Sequence, residues 1–220
     1  MNLAVAHRPA ALRKGISMDD PVLLLVILDF VFIASLAKIF FRKDGVMNAR
    51  WWSVSLPIGV IPLFLTVSRI FGFPSLLPDG WLRTTQLVAG VCIAASIALI
   101  SMTLGTHRVP IALWHQTDDA PRHVVTWGAY RLIRHPFYTG YLLAFAGAFA
   151  CFPHAVTLVL FLYEAVMLNA VAAKEERKLC ASAFGAEYQE YLSRTNRFLP
   201  LRMTRPPGAV PSPTDQEFVS

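Results

Sequence analysis

Charge is scarce in this chain. Asp, Glu, Lys and Arg make up 15% of its 220 residues, against about 25% in an ordinary soluble domain. With 55% hydrophobic residues and a mean hydropathy of +0.49, that scarcity excludes a soluble enzyme of ordinary composition and a disordered chain, and leaves an integral membrane protein. Cysteine is scarce too. Cys92, Cys151 and Cys180 stand far apart, without a CxxC pair or an even set, which excludes a disulfide scaffold and a zinc ribbon. His107, His115 and His154 have no partners at ligand spacing, so no metal is expected. Acidic residues are fewer than basic ones, 14 against 20. In an apolar chain such an excess marks cytoplasmic loops, and no nucleic-acid partner is expected.

Long apolar runs are abundant. A hydrocarbon core needs about 20 apolar residues per helix, and four or five segments qualify. They are Pro21 to Phe41 (interrupted by Asp29 and Lys38), Trp52 to Phe71 (with Pro57 and Pro62), Trp81 to Leu104, about Phe137 to Cys151, and about His154 to Ala173. The last two, split by Pro153, read as a tight helical hairpin. The fold class is therefore all-α, a polytopic membrane bundle of about five helices. An amphipathic segment follows, with apolar Leu179, Ala183, Phe184, Tyr188, Tyr191 and Leu192 at helical spacing. Residues 1–20 form an N-terminal segment, 21–104 three spanning helices, 105–200 a polar-rich catalytic region, and 201–220 a Pro-rich, disordered tail.

Basic residues orient the bundle. Arg42, Lys43 and Arg50 follow the first span, Arg108, Arg122, Arg131 and Arg134 the third, and seven more the fifth, while Phe73–Gly80 and the hairpin tip have none. The long loop and the C-terminal tail are thereby assigned to the cytoplasm. Arg8, Arg13 and Lys14 oppose this assignment unless the N-terminal segment lies on the membrane surface.

Chemistry is concentrated in the second half. In HVVTWGAYRLIRHPFY, Gly128 can turn the chain, and Pro136 starts a helix while forcing His135 out of helical geometry. Arg134 and His135 then sit before a helix N-terminus, a place suited to an anionic group or to lipid phosphates. Glu164 and Glu175 lie eleven residues apart, about three helical turns, on one side of the fifth span. A carboxylate inside a span needs a polar interior or a partner. Lys38 or Arg69 are structural partners for Glu164, and Glu164 and Glu175 are the available general bases. Asp29 has the same choice between function and pairing. Gly140, Ala144 and Ala148 form a small-residue stripe that lets helices approach.

GAYRLIRHPFYTGY (Gly128–Tyr141), a two-span hairpin and EERKLCASAFGAEYQEYLSRTNRFLP (Glu175–Pro200) resemble, in this order, the isoprenylcysteine carboxyl methyltransferase family and its prokaryotic relatives. The resemblance covers roughly residues 105–200. It implies an all-helical membrane methyltransferase using S-adenosyl-L-methionine, with its active site facing the cytoplasm from a bacterial inner membrane, or an ER-type membrane in a eukaryote. The cofactor contacts it implies fall on His123, Val124, Val125, Tyr130, His135, Pro136, Phe137, Tyr138 and Glu176. With Arg134, Glu164 and Glu175 as candidate catalytic groups, these make up the expected site. Where the prenylcysteine enzymes carry a substrate-side arginine, this chain has Ala172, which sets prenylcysteine apart from other lipophilic acceptors, thiols, carboxylates or membrane lipids. The competing readings are an NADPH-dependent reductase of the sterol-reductase type, whose related motif has Asn where this chain has RHPFY, and a non-catalytic membrane protein. Oligomeric state is not legible.

Overall fold

A computed structural model of the chain describes residues 20–36, 45–106 and 124–200. The N-terminal segment up to residue 19, the end of the first predicted span with Lys38, the loop bearing His107, His115 and His123, and the tail from residue 201 lie outside the described residues. Among the described residues six helices form: α1 (Pro21–Leu36), α2 (Ala49–Phe71), α3 (Leu82–Thr106), α4 (Pro136–Cys151), α5 (Ala155–Cys180) and α6 (Gly185–Arg194). Short 3₁₀ turns at Asp79–Trp81 and Gly128–Arg131 lead into α3 and α4. Three stretches, Trp52–Phe71, Asp79–Thr106 and Ala155–Cys180, are long and apolar enough to cross a membrane, while α1 and α4 are shorter apolar helices of 16 residues each. The molecule is an all-α integral membrane bundle.

Local chemistry sets the helix ends. Asp20 accepts the Val22 and Leu23 amides through Oδ1 (both 3.2 Å) and so caps α1. Pro57 and Pro62 both lie inside α2, as membrane helices tolerate when neighbours satisfy the freed carbonyls. The Ser53 carbonyl, freed by Pro57, accepts the Tyr163 hydroxyl of α5 at 2.8 Å. α2 ends before Gly72, whose φ of +66° suits the left-handed turn after a helix. At the hairpin, His154 Nδ1 accepts from the Val156 amide at 3.1 Å and Thr157 Oγ1 accepts from the His154 amide at 3.2 Å, a reciprocal cap that starts α5. The turn is tied to the α2–α3 connection by Leu76 N donating to Pro153 O at 2.7 Å. Gln86 Nε2 also donates to Cys151 O, at 3.3 Å.

α4 packs most closely against α3, and small residues make this possible. A Cβ added to Gly140 would lie 2.5 Å from Ile100 Cγ1, and one on Gly147 would lie 2.7 Å from Ile93 Cδ1. Ala144 and Ala148, also on α4, have no exposed surface. Phe145 meets Phe30 of α1 edge-on, with ring centroids 5.1 Å apart. The predicted stripe is thus the α3–α4 seam, with Gly147 added to it.

Inside the bundle lie polar groups. Asp29, Ser96 and Glu164 are fully buried, and among the described residues neither carboxyl finds a hydrogen-bond partner. The Ser96 hydroxyl stands beside Asp29 without closing a hydrogen bond of ordinary geometry. Tyr141 lies within electrostatic reach of both Glu164 and Asp29. Tyr141 and Glu164 both sit about ten residues, or roughly 15 Å, from the hairpin turn, near the middle of a hydrocarbon core about 30 Å thick. Arg69, one expected partner of Glu164, instead pairs with Asp20 at 2.7 Å.

α5 runs to Cys180, two turns past the predicted end at Ala173. At 26 residues it is about 39 Å long, more than a membrane core needs. Its charged last turns, from Lys174 onward, extend beyond the crossing.

Gly140→Val should strain the α3–α4 seam, because Ile100 and the Ser96 carbonyl occupy the space. The expected loss is about 1–3 kcal/mol, read as a lower unfolding midpoint in detergent. An unchanged midpoint would mean that the seam is looser than the contacts describe.

Candidate active site at the mouth of the α4–α5 hairpin

Away from the hairpin turn, α4 begins and α5 ends at one mouth. The approach to α4 turns at Gly128, φ +62°, where a Cβ would run into the Thr106 side chain at the end of α3. Only glycine meets both demands at low cost. The 3₁₀ turn follows, then Pro136 as the first residue of α4, with His135 (φ −124°, ψ 63°) just outside it. The predicted entry is therefore observed.

The C-terminal segment returns to this entry. Ile133 pairs with Asn196 in a single parallel bridge. Arg134 N donates to Asn196 O at 2.9 Å and His135 N to Arg197 O at 3.1 Å. Thr139 Oγ1 donates to Phe198 O at 3.2 Å. α6 is held to the same entry by Tyr191, whose hydroxyl donates to Tyr130 O at 2.6 Å. Burial pushes the Tyr191 hydroxyl up to about 12, against smaller opposing effects of Thr195 and Arg134, so it remains a donor. Burial likewise raises Tyr130 and Tyr188 well above the ordinary phenol range.

Glu176 is the electrostatic centre. Its side chain is 10% exposed and meets three basic groups. Arg134 Nε donates to Oε1 at 2.9 Å, Arg197 Nε to Oε1 at 3.1 Å and Arg197 Nη2 to Oε2 at 2.5 Å. His135 Nε2 lies 3.3 Å from Oε1. Burial alone would raise the carboxyl, but the hydrogen bonds from His135, Arg197 and Arg134 outweigh it and hold it far below the ordinary 4.5. A depressed carboxyl stabilises the fold fully above its free value, and that contribution is lost only as pH falls below about 4.5 toward the native one. Arg134 also donates through Nη1 to the Thr195 carbonyl, closing the C-terminal end of α6. Arg197 Nη1 reaches Asn169 Oδ1 at 2.5 Å.

Beside this cluster lies a second carboxylate with aromatic walls. Tyr138 donates to Glu175 Oε1 at 2.7 Å, and His135 Nδ1 lies 3.7 Å from Glu175 Oε2. The His135 and Tyr138 rings stack, with centroids 5.2 Å apart and planes 5° apart. Phe198 flanks His135 at 6.2 Å and Phe137 packs on Tyr141 at 4.8 Å. Tyr130 is within electrostatic reach of Glu175.

Of the residues expected from sequence, Arg134, His135, Pro136, Phe137, Tyr138, Glu175 and Glu176 gather here, with Tyr130 at the edge. Val124 and Val125 are half-buried in the lead-in to the Gly128 turn. His123 lies outside the described residues. Glu164 stands apart, about 16 Å up α5 from Glu175, so the two candidate bases cannot serve one reacting centre. The cations expected to await an anionic ligand are in direct contact with Glu176. Sequence reasoning missed Arg197 and Asn169. Asn169 stands one position past the apolar Leu168, and Arg197 stands next to the recognised F-L-P. Their shared signal was position alone: an Asn two turns before Glu176 on α5, and a cation where the chain returns. Among the described residues no group of three or more His, Cys, Asp or Glu comes together as a metal site.

A membrane bundle whose hairpin mouth carries the R-H-P-F-Y and E-E motifs has similar counterparts among known proteins. Residues 84–187, a little under half of the chain, match the model of the phospholipid methyltransferase family. A 142-residue stretch, 64% of the chain, is 47% identical to the cobalt-zinc-cadmium resistance protein CzcN of Cupriavidus metallidurans, and spans 61% of that protein's length. A further relative is protein-S-isoprenylcysteine O-methyltransferase B of Arabidopsis thaliana, 23% identical over 160 residues, 71% of this chain and 77% of that one. No solved structure matches the chain.

Glu176→Leu leaves Arg134 and Arg197 facing each other without their shared carboxylate. Removing one partner of such a buried set costs about 3–5 kcal/mol, so the variant should unfold at clearly lower temperature or denaturant. A change within error would show the cluster to be solvent-screened.

Proposed function

We propose that the chain is an S-adenosyl-L-methionine-dependent methyltransferase acting on a lipophilic acceptor that reaches the mouth from the membrane. The observation that carries this reading is the convergence of Tyr130, His135, Phe137, Tyr138, Glu175 and Glu176 at one end of the α4–α5 hairpin. It is supported by the matched family and by the relative named as an isoprenylcysteine O-methyltransferase.

The residues fit the cofactor's chemistry. Glu175, one-third exposed beside Tyr138, suits a cationic or donor group, and Arg134 and His135 at the start of α4 suit a carboxylate. The rings of Tyr130, Phe137 and Tyr138 offer faces to a flat base or to positive charge. When bound, S-adenosyl-L-methionine supplies an electrophilic methyl carbon on a sulfonium. The protein's own part is to hold the acceptor in line, exclude water and keep the mouth's charges fixed. Glu175 is the carboxylate at the mouth that can accept a proton from an acceptor. Glu164, far up the helix, is placed to meet the acceptor's path through the bundle. Ala172, where the prenylcysteine enzymes have arginine, favours a thiol or carboxylate acceptor other than prenylcysteine. The mouth faces the cytoplasm of a bacterial inner membrane.

The test is incubation of purified protein with methyl-labelled S-adenosyl-L-methionine and a panel of membrane lipids and hydrophobic thiols and acids. Label is expected in a lipophilic product. Saturable binding of NADPH instead would favour a reductase, and binding of neither would leave a non-catalytic protein. His135→Ala should weaken cofactor binding by about tenfold or more, the size of one charge-assisted contact, in protein that still extracts folded. Glu164→Gln keeps the shape of the side chain. If Glu164 serves the acceptor, this variant should extract normally and lose turnover without losing cofactor affinity, whereas normal turnover would reduce Glu164 to a tolerated polar residue.

A further inference from the structure

Arg197 has an arrangement that no other basic residue at the mouth shares. Arg134 and His135 both address Oε1 of Glu176, whereas Arg197 contacts Oε1 and Oε2 together through Nε and Nη2. A two-point grip fixes the rotation of a carboxylate, which a single contact does not. Its third nitrogen, Nη1, is held by Asn169 Oδ1 at 2.5 Å, and Asn169 lies on α5 two turns before Glu176. The guanidinium is therefore anchored on one helix at two levels. Its charge is reinforced there, because the hydrogen bonds to Glu176 hold its proton even more firmly than usual.

We propose that Arg197 is a positioning residue of the cofactor site, acting through Glu176 to fix where Arg134 and His135 point. The inference rests on the methyltransferase reading. Glu176 Oε1 is the shared acceptor of Arg134 Nε and His135 Nε2. The plane in which Arg197 holds the carboxylate thus sets the orientation of the imidazole stacked on Tyr138 and of the guanidinium that closes α6. Without Arg197 the carboxylate can turn about its last bond, and the donors that follow it lose their fixed direction.

The C-terminal segment is attached independently of this side chain. Arg134 N to Asn196 O, His135 N to Arg197 O and Thr139 Oγ1 to Phe198 O do not involve the Arg197 guanidinium. Arg197→Gln should therefore leave the segment in place, which makes the proposal testable without unfolding the mouth.

The experiment measures S-adenosyl-L-methionine affinity by calorimetry, and amide exchange at residues 133–139, in wild type, Arg197→Gln, Arg197→Lys and Asn169→Ala. Arg197→Gln is expected to weaken binding by about tenfold or more, the size of one charge-assisted hydrogen bond, with amide protection at Arg134 and His135 retained. Arg197→Lys, which keeps the charge but cannot grip both oxygens, should fall between it and wild type. Asn169→Ala, which removes one of the guanidinium's two anchors but leaves its grip on Glu176, should weaken binding less than Arg197→Gln. Equal affinity in wild type and Arg197→Gln would overturn the proposal. So would a loss of affinity accompanied by loss of protection, since Arg197 would then be merely structural, and so would full rescue by lysine, since charge alone would suffice. If wild type binds no S-adenosyl-L-methionine, the methyltransferase reading fails first and takes this inference with it, a result distinct from the other three.

Discussion

A single carboxylate, Glu176 at the far end of α5, organises the mouth of this protein. It is nearly buried, so it must be compensated, and the groups that compensate it come from two remote parts of the chain. Arg134 and His135 belong to the entry of α4, and Arg197 to the segment after α6. Meeting that one demand fixes the start of α4 against the end of α5, draws the C-terminal segment alongside residues 133–135, and leaves Glu175, one residue earlier, beside Tyr138. The aromatic walls and the carboxylates that make the mouth chemically interesting stand where they do because this ion cluster closes.

The bundle behind the mouth obeys a different constraint. In a membrane, close packing depends on small residues, because lipid tails are as apolar as side chains. Gly140 and Gly147 let α4 lie directly on Ile100 and Ile93 of α3, and this seam holds the short α4 in the interior. The same bundle buries Asp29, Ser96 and Glu164 near its middle. Polar groups at that depth are expensive and mark sites of function by default. Their distance from Glu175 makes them a separate layer from the mouth.

Much of this was legible in the sequence. The helices followed from apolar runs, the entry to α4 from Gly128 and Pro136, and the meeting of the two motifs from their resemblance to membrane methyltransferases. Two things were hidden. The first was how far α5 runs beyond Glu175: the helix continues to Cys180 as a solvated and ion-paired end, and hydropathy does not register such turns. The second was the role of Arg197 and Asn169. A single arginine in a polar C-terminal stretch has no periodicity and no motif of its own. Its importance comes from a long-range return of the chain, which pattern reading cannot place. Arg134 and His135 were expected to face an anionic ligand; in the structure the carboxylate in direct contact with both is the chain's own Glu176.

The central claim is that this ion-clustered mouth holds a sulfonium donor. Ultraviolet cross-linking of labelled S-adenosyl-L-methionine to the purified protein, followed by peptide mapping, addresses it most directly. The account predicts saturable labelling confined to the peptides that contain Tyr130–Tyr138 and Glu175–Phe198, competed by unlabelled cofactor. Label on α1 or α2, or labelling that neither saturates nor competes, would contradict it.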